Sequence, residues 1–196
     1  MKRQYGKITQ RIVALMLGVF LTLGSVAQAA DNIAIGDINS DPLALGDSNT
    51  FTLNTFAPAL YKAAFLTSDN SALTTDDTLP AGTSVDFLIY LSNESDLDIV
   101  DVGIIDTLVG FTYVTGTLHV LNTTASCVAQ CNAAEELAIY TAANVPAALK
   151  SDGAGDDEAS FGGTTVEVGN NTTAGNTPQD ATANLVLALV FTATID

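Results

Sequence analysis

The sequence predicts an all-β sandwich carrying a small Ala-rich insertion. Short alternating apolar runs recur along the chain, and clusters of Gly, Pro, Asn and Asp separate them. Helix-period patterns are almost absent. Hydrophobic residues make up 47% of the 196 residues and charged residues 14%. A core of ordinary size is therefore within reach, and wholesale disorder is excluded. No unit recurs, so one domain is expected and not an array.

Residues 1–29 carry the three-part grammar of a secretory signal peptide. Basic Lys2, Arg3, Lys7 and Arg11 precede an apolar run over residues 12–23, and Ala27-Gln28-Ala29 follows as an A-x-A cleavage signal. Export is expected, with no transmembrane span in the mature chain. Two alternatives stand beside this reading. A membrane anchor would need about 20 apolar residues. A pilin-type leader (residues 6–11) would usually carry Glu where Arg11 stands.

Residues 30–50 are rich in Asp, Asn and Gly and read as an extended segment leading to the domain, which is placed at 51–196. Its best strand covers Ser84–Ser92, where Val85, Phe87, Ile89 and Leu91 alternate with the even positions and face the core. Residues 93–96 (NESD) read as a turn. Val100, Val102 and Ile104 mark a second strand. Residues 111–114 and 118–121 give a third, bent at Gly116. Another covers residues 164–168. The last spans 184–195, and both of its faces are apolar. That strand is either central and covered on both sides or it meets a partner. A short helix is expected around residues 133–140, and exposed loops over 151–160 and 169–180.

Two stretches carry a resemblance. Residues 80–95 read PAGTSVDFLIYLSNES and residues 106–116 read DTLVGFTYVTG. Together they resemble the "conserved repeat domain" family, a domain of unknown function in bacterial and archaeal surface proteins. The resemblance spans roughly residues 60–121. It departs from the family pattern where Ala81 is inserted, where Ser95 replaces a turn glycine and where Val109-Gly110 shortens a Pro-x-Gly step. It implies an immunoglobulin-like sandwich and a place on a cell surface. Its motifs specify strands and turns, not chemistry.

Charge narrows the partners. All 22 acidic residues lie from Asp31 onward, where Lys62 and Lys150 are the only cations. Such a surface repels phosphates, so no nucleic acid is expected. No catalytic residues are assigned and no enzyme is expected. The chain has one histidine, His119, which alternates with apolar neighbours and is expected to face solvent. Cys127 and Cys131 are expected to form a small disulfide loop in an exported protein. No cofactor is assigned except calcium as a candidate. Asp152, Asp156, Asp157 and Glu158 in a Gly-containing loop are its candidate ligands, and residues 37–41 have the D-x-N-x-D spacing that opens a calcium loop. Asn93, Asn122, Asn170 and Asn171 begin N-x-S/T sequons.

The function expected from these features is a non-enzymatic extracellular structural or adhesive protein. Its partners are further copies of itself or other cell-surface proteins. It could form a filament or surface layer in which the segment after cleavage adds a strand to a neighbour's sheet. The alternative is a secreted binding module for calcium, carbohydrate or a surface protein.

Overall fold

A computed structural model describes the backbone of residues 29–35 and 48–54, together with residues 58, 60–128, 130–170 and 173–196. The signal-peptide reading, residues 1–29, lies outside the described residues except for Ala29, and residues 37–41 lie outside them as well. The chain divides into two compact units, Met1–Ala57 and Pro58–Asp196.

In the first unit, β1 (Ala29–Ile35) and β2 (Ser48–Asn54) form a two-stranded antiparallel sheet, with Ala29 opposite Asn54 and Ile35 opposite Ser48. Both strands overlap the segment read as extended, residues 30–50, whose residues 36–47 lie outside the described residues.

The second unit is all-β with one short helix. Its larger sheet takes β4 (Ala72–Leu73), β3 (Leu60–Leu66), β5 (Ser84–Ser92) and β11 (Leu185–Ile195) in that order. Beyond β11 lie β7 (Phe111–Tyr113) and β8 (His119–Ala125), which pair with successive stretches of it. The chain between them turns at Gly116, whose φ of 74° suits glycine. A smaller sheet takes β6 (Ile104–Thr107), β10 (Thr165–Val168) and β9 (Ala159–Gly162). Every pairing is antiparallel.

The two sheets share one core. Val85, Phe87, Ile89 and Leu91 of β5 pack with Leu187, Leu189, Phe191 and Ala193 of β11, and from the smaller sheet come Ile104, Ala159, Val166 and Val168. The odd positions of β5 thus face this core, as alternation requires. Its even positions are buried as well. Leu88 and Tyr90, with Val186, Ala188 and Val190, form a second core against the helix α1 (Ala133–Ala143). The strand β11 is central and covered on both faces, so its second apolar face is used within the chain.

The helix starts where the sequence allows it. Asn132 accepts hydrogen bonds from the N–H groups of Ala134 and Glu135, and Glu135 accepts one from the Asn132 N–H at 2.7 Å. This reciprocal arrangement satisfies backbone donors that the first turn leaves without partners.

Three expectations are corrected here. The second strand begins at Ile104, and Val100 is 65% exposed. Asp101 beside it has a φ of 56°, which no regular strand accommodates. Residues 159 and 160 belong to β9 and not to a loop, because Ala159 and Ser160 pair with Val168 and Glu167. His119 does not face solvent. It is half-buried, its Nδ1 lies 3.0 Å from the Val145 carbonyl, and it bridges to Leu149.

Candidate functional site

Among the candidate calcium ligands, Asp152, Asp157 and Glu158 each have a separate use within the chain. Asp152 accepts the Tyr113 hydroxyl at 2.5 Å and the Gly116 N–H at 2.8 Å. It thereby ties the loop to the turn between β7 and β8. Asp157 accepts the N–H groups of Ser151 and Ala159 and shapes the loop itself. Glu158 pairs with Lys150, and Asp156 is exposed. Burial, reinforced by Asp152, raises the Tyr113 hydroxyl above its ordinary range and keeps it a donor.

Among the described residues, one trio of His, Cys, Asp or Glu brings its ligand atoms within 4.8 Å of one another: Cys127, Cys131 and Glu135. Cys127 and Cys131 are joined in a disulfide, with Cα atoms 5.3 Å apart. Their sulfurs are therefore not thiolates, and Glu135 is engaged in capping the helix. The disulfide loop is fixed from below. Ser92 Oγ accepts the Cys127 N–H at 2.8 Å and donates to the Cys127 carbonyl, while the Tyr90 hydroxyl accepts the Cys131 N–H at 3.2 Å.

Two sequon asparagines have structural work. Asn93 is fully buried, and its amide donates to the carbonyls of Leu97 and Ala181. The amide of Asn122 donates to the Asp180 carbonyl and its oxygen accepts the Thr182 N–H. Asn170 is exposed. Asn171 lies outside the described residues.

The feature with most capacity for interaction is the side of the unit where β3 and β6 lie. The strand β4 is only two residues long and pairs with Ala64 and Phe65 alone. The Leu66 N–H points toward that side and bonds to Ser71. Backbone groups alternate in direction along a strand, so those of Ala64, Lys62 and Leu60 point the same way. Among the described residues, nothing pairs with Leu60 or Lys62 there. The larger sheet consequently presents an open edge.

Lys62 closes the interior at this point. Its ammonium lies 2.7 Å from Asp106 of β6 and 4.5 Å from the centre of the Phe87 ring. One ion pair thus spans the two sheets. Leu60, on the same face of β3, is 52% exposed, and Ile105 of β6 is 55% exposed. Farther along β3, beyond Ala64, opens a groove of about 370 Å³ with an apolar wall of Leu73, Leu79, Val85, Phe87, Phe111 and Ile195. Thr74, Asp77 and Thr78 supply polar groups to it. Such an arrangement can take up an extended peptide, with main-chain hydrogen bonds along the edge and apolar side chains beside it.

No family model, curated protein or solved structure matches the chain. Among the described residues, no helix is long and apolar enough to cross a membrane.

Proposed function

We propose that this chain is a non-enzymatic structural or adhesive module of a microbial cell surface, an immunoglobulin-like sandwich whose copies associate by strand addition. The observation that carries the reading is the open edge of β3. An edge strand of this kind is a template for pairing with another chain, and native proteins ordinarily cover it or break it. Two antiparallel sheets over a shared core, the signal-peptide grammar and the resemblance to a surface-protein domain support the same reading.

Partners follow from this. Further copies of the chain come first, then other surface proteins. The acidic surface disfavours nucleic acid.

The test is negative-stain electron microscopy of the purified mature protein, with and without calcium. Ordered filaments or sheets are expected. Deleting residues 31–50 is expected to leave a folded monomer that does not assemble. Dispersed monomers of the intact protein in both conditions would overturn the assembly reading and favour the binding module.

A further inference from the structure

We propose that the open edge of β3 accepts strand β2 (Ser48–Asn54) of a second copy of this chain. The proposal rests on the strand-addition reading above and names both halves of the joint.

The acceptor half is defined by backbone direction. Leu60 and Lys62 present their N–H and C=O groups outward, in line with the two residues of β4. A strand placed there extends the row that Ala72 and Leu73 begin. Lysine on an edge ordinarily discourages pairing. Here the charge of Lys62 is neutralised by Asp106 and its ammonium sits over Phe87. Outside lie the backbone, the exposed Leu60 and the part of Lys62 that its ion pair leaves in solvent.

The donor half is defined by sequence and pairing. Residues 48–54 read SNTFTLN, in which Phe51 and Leu53 alternate with Thr50, Thr52 and Asn54. That is the pattern of a strand with one apolar face and one polar face. Among the described residues of its unit, β2 pairs with β1 alone. A two-stranded ribbon is marginally stable in water, and three or more strands over an apolar face are needed for independent stability. A third strand added to β2 would bring the ribbon to that number.

Charge is compatible with this segment as the donor. Two copies carrying a formal charge of −16 each repel one another. Residues 48–54 contain no charged side chain, so this strand can approach an acidic neighbour without adding an unpaired charge to the joint.

The experiment compares three full-length mature proteins by electron microscopy and light scattering: the natural sequence, Lys62→Ala and Lys62→Pro. Lys62→Ala removes the ion pair and keeps the outward N–H. Lys62→Pro removes the N–H as well, at a position where no partner uses it within the monomer. The natural protein and Lys62→Ala are expected to assemble, and Lys62→Pro to remain monomeric with a cooperative thermal transition. Assembly of Lys62→Pro at the natural rate would overturn the acceptor edge and leave the strand-addition reading standing. A monomeric natural protein would overturn both. If Lys62→Pro fails to fold, Leu60→Pro takes its place at the start of the same edge. Assembly should also strengthen with salt, since screening weakens the repulsion between acidic copies.

Discussion

Tyr140 donates its hydroxyl hydrogen to Asp86 at 2.7 Å, across the seam between the helix and the larger sheet. Asp86 is 3% exposed and Tyr140 is 2% exposed. The same carboxylate accepts hydroxyls from Thr67 at 3.0 Å and Thr192 at 2.6 Å. Three elements thus converge on one buried anion, which tolerates burial because its oxygens are filled by donors. The Tyr140 ring also stacks on Phe65 at 4.5 Å. Removing the acceptor should cost more than removing one donor. Tyr140→Phe is expected to destabilise by about 1.5–3 kcal/mol, the value of a hydrogen bond to a charged group. Asp86→Ala removes the acceptor shared by three hydroxyls, of which Tyr140 keeps Asn70 within 3.1 Å, and is expected to lose about 3–5 kcal/mol. Urea denaturation measures both, and an equal cost for the two variants would refute the shared-anion account.

The tyrosines also set the alkaline limit of the fold. Burial, helped by the bond to Asp86, pushes the Tyr140 hydroxyl from 10.0 up to about 12. Burial raises Tyr90 and Tyr113 in the same direction, next to Glu136 and Asp152 respectively. A raised folded value means the unfolded chain loses the proton first. This stabilisation is therefore complete below pH 10 and is lost as pH climbs toward 12. Melting temperatures should hold to about pH 10 and then fall steeply. In Tyr140→Phe the fall should be shallower.

His119 should act at the other end of the pH scale. Burial, only partly offset by the Val145 carbonyl and by Asp86, lowers it from 6.5. The folded state disfavours the imidazolium, so stability is full above pH 6.5 and declines as pH falls below it. The chain has a single histidine, so its ring resonances can be followed by NMR without assignment. A titration midpoint below the unfolded value is expected. A midpoint at or above it would contradict the half-buried placement.

Gly169 allows the tightest backbone approach among the described glycines. Its φ is 84°, and a Cβ placed there would stand 1.9 Å from the Val102 carbonyl oxygen. The atom in the way is backbone, so the neighbour cannot swing aside. Gly169→Ala is expected to cost about 3 kcal/mol or more by combining left-handed strain with a clash. Gly163, whose φ is also positive but whose surroundings are open, gives the control. Its change to alanine should cost only about 1–2 kcal/mol, the strain term alone.

Sequence pattern located most of the larger sheet. The alternation in Ser84–Ser92, the doubly apolar run of residues 185–195 and the bend at Gly116 all mark features of the structure. The helix was legible from its Ala-rich composition, and Asn132 with Glu135 supplies its start. What pattern could not supply was the second core. Even positions of β5 such as Leu88 and Tyr90 are as buried as the odd ones, because a helix distant in sequence lies over them. The strand β9 escaped because only four residues long, with Gly162 at its end, it shows no alternation to count. His119 was misplaced for a related reason. Alternation assigns a side to a residue, but not what later covers that side.

Of the candidate site, the disulfide was legible from spacing and context, and the structure contains it. The open edge was not. Whether a strand has a second neighbour depends on pairings between distant segments, and the two-residue length of β4 leaves no trace in composition. The acidic loop was conspicuous as a run of charges. Its carboxylates serve separate backbone and side-chain donors, a distinction that depends on where each oxygen points.

The placement of β11 has a consequence for biogenesis. This strand, residues 185–195, lies between β5 on one side and β7 and β8 on the other. Residues 60–184 can be fully synthesised and still lack the strand around which their sheet is organised. Long-range pairings of this kind close slowly. The larger sheet should therefore close only in a late step, once β11 is available to join β5 to β7 and β8.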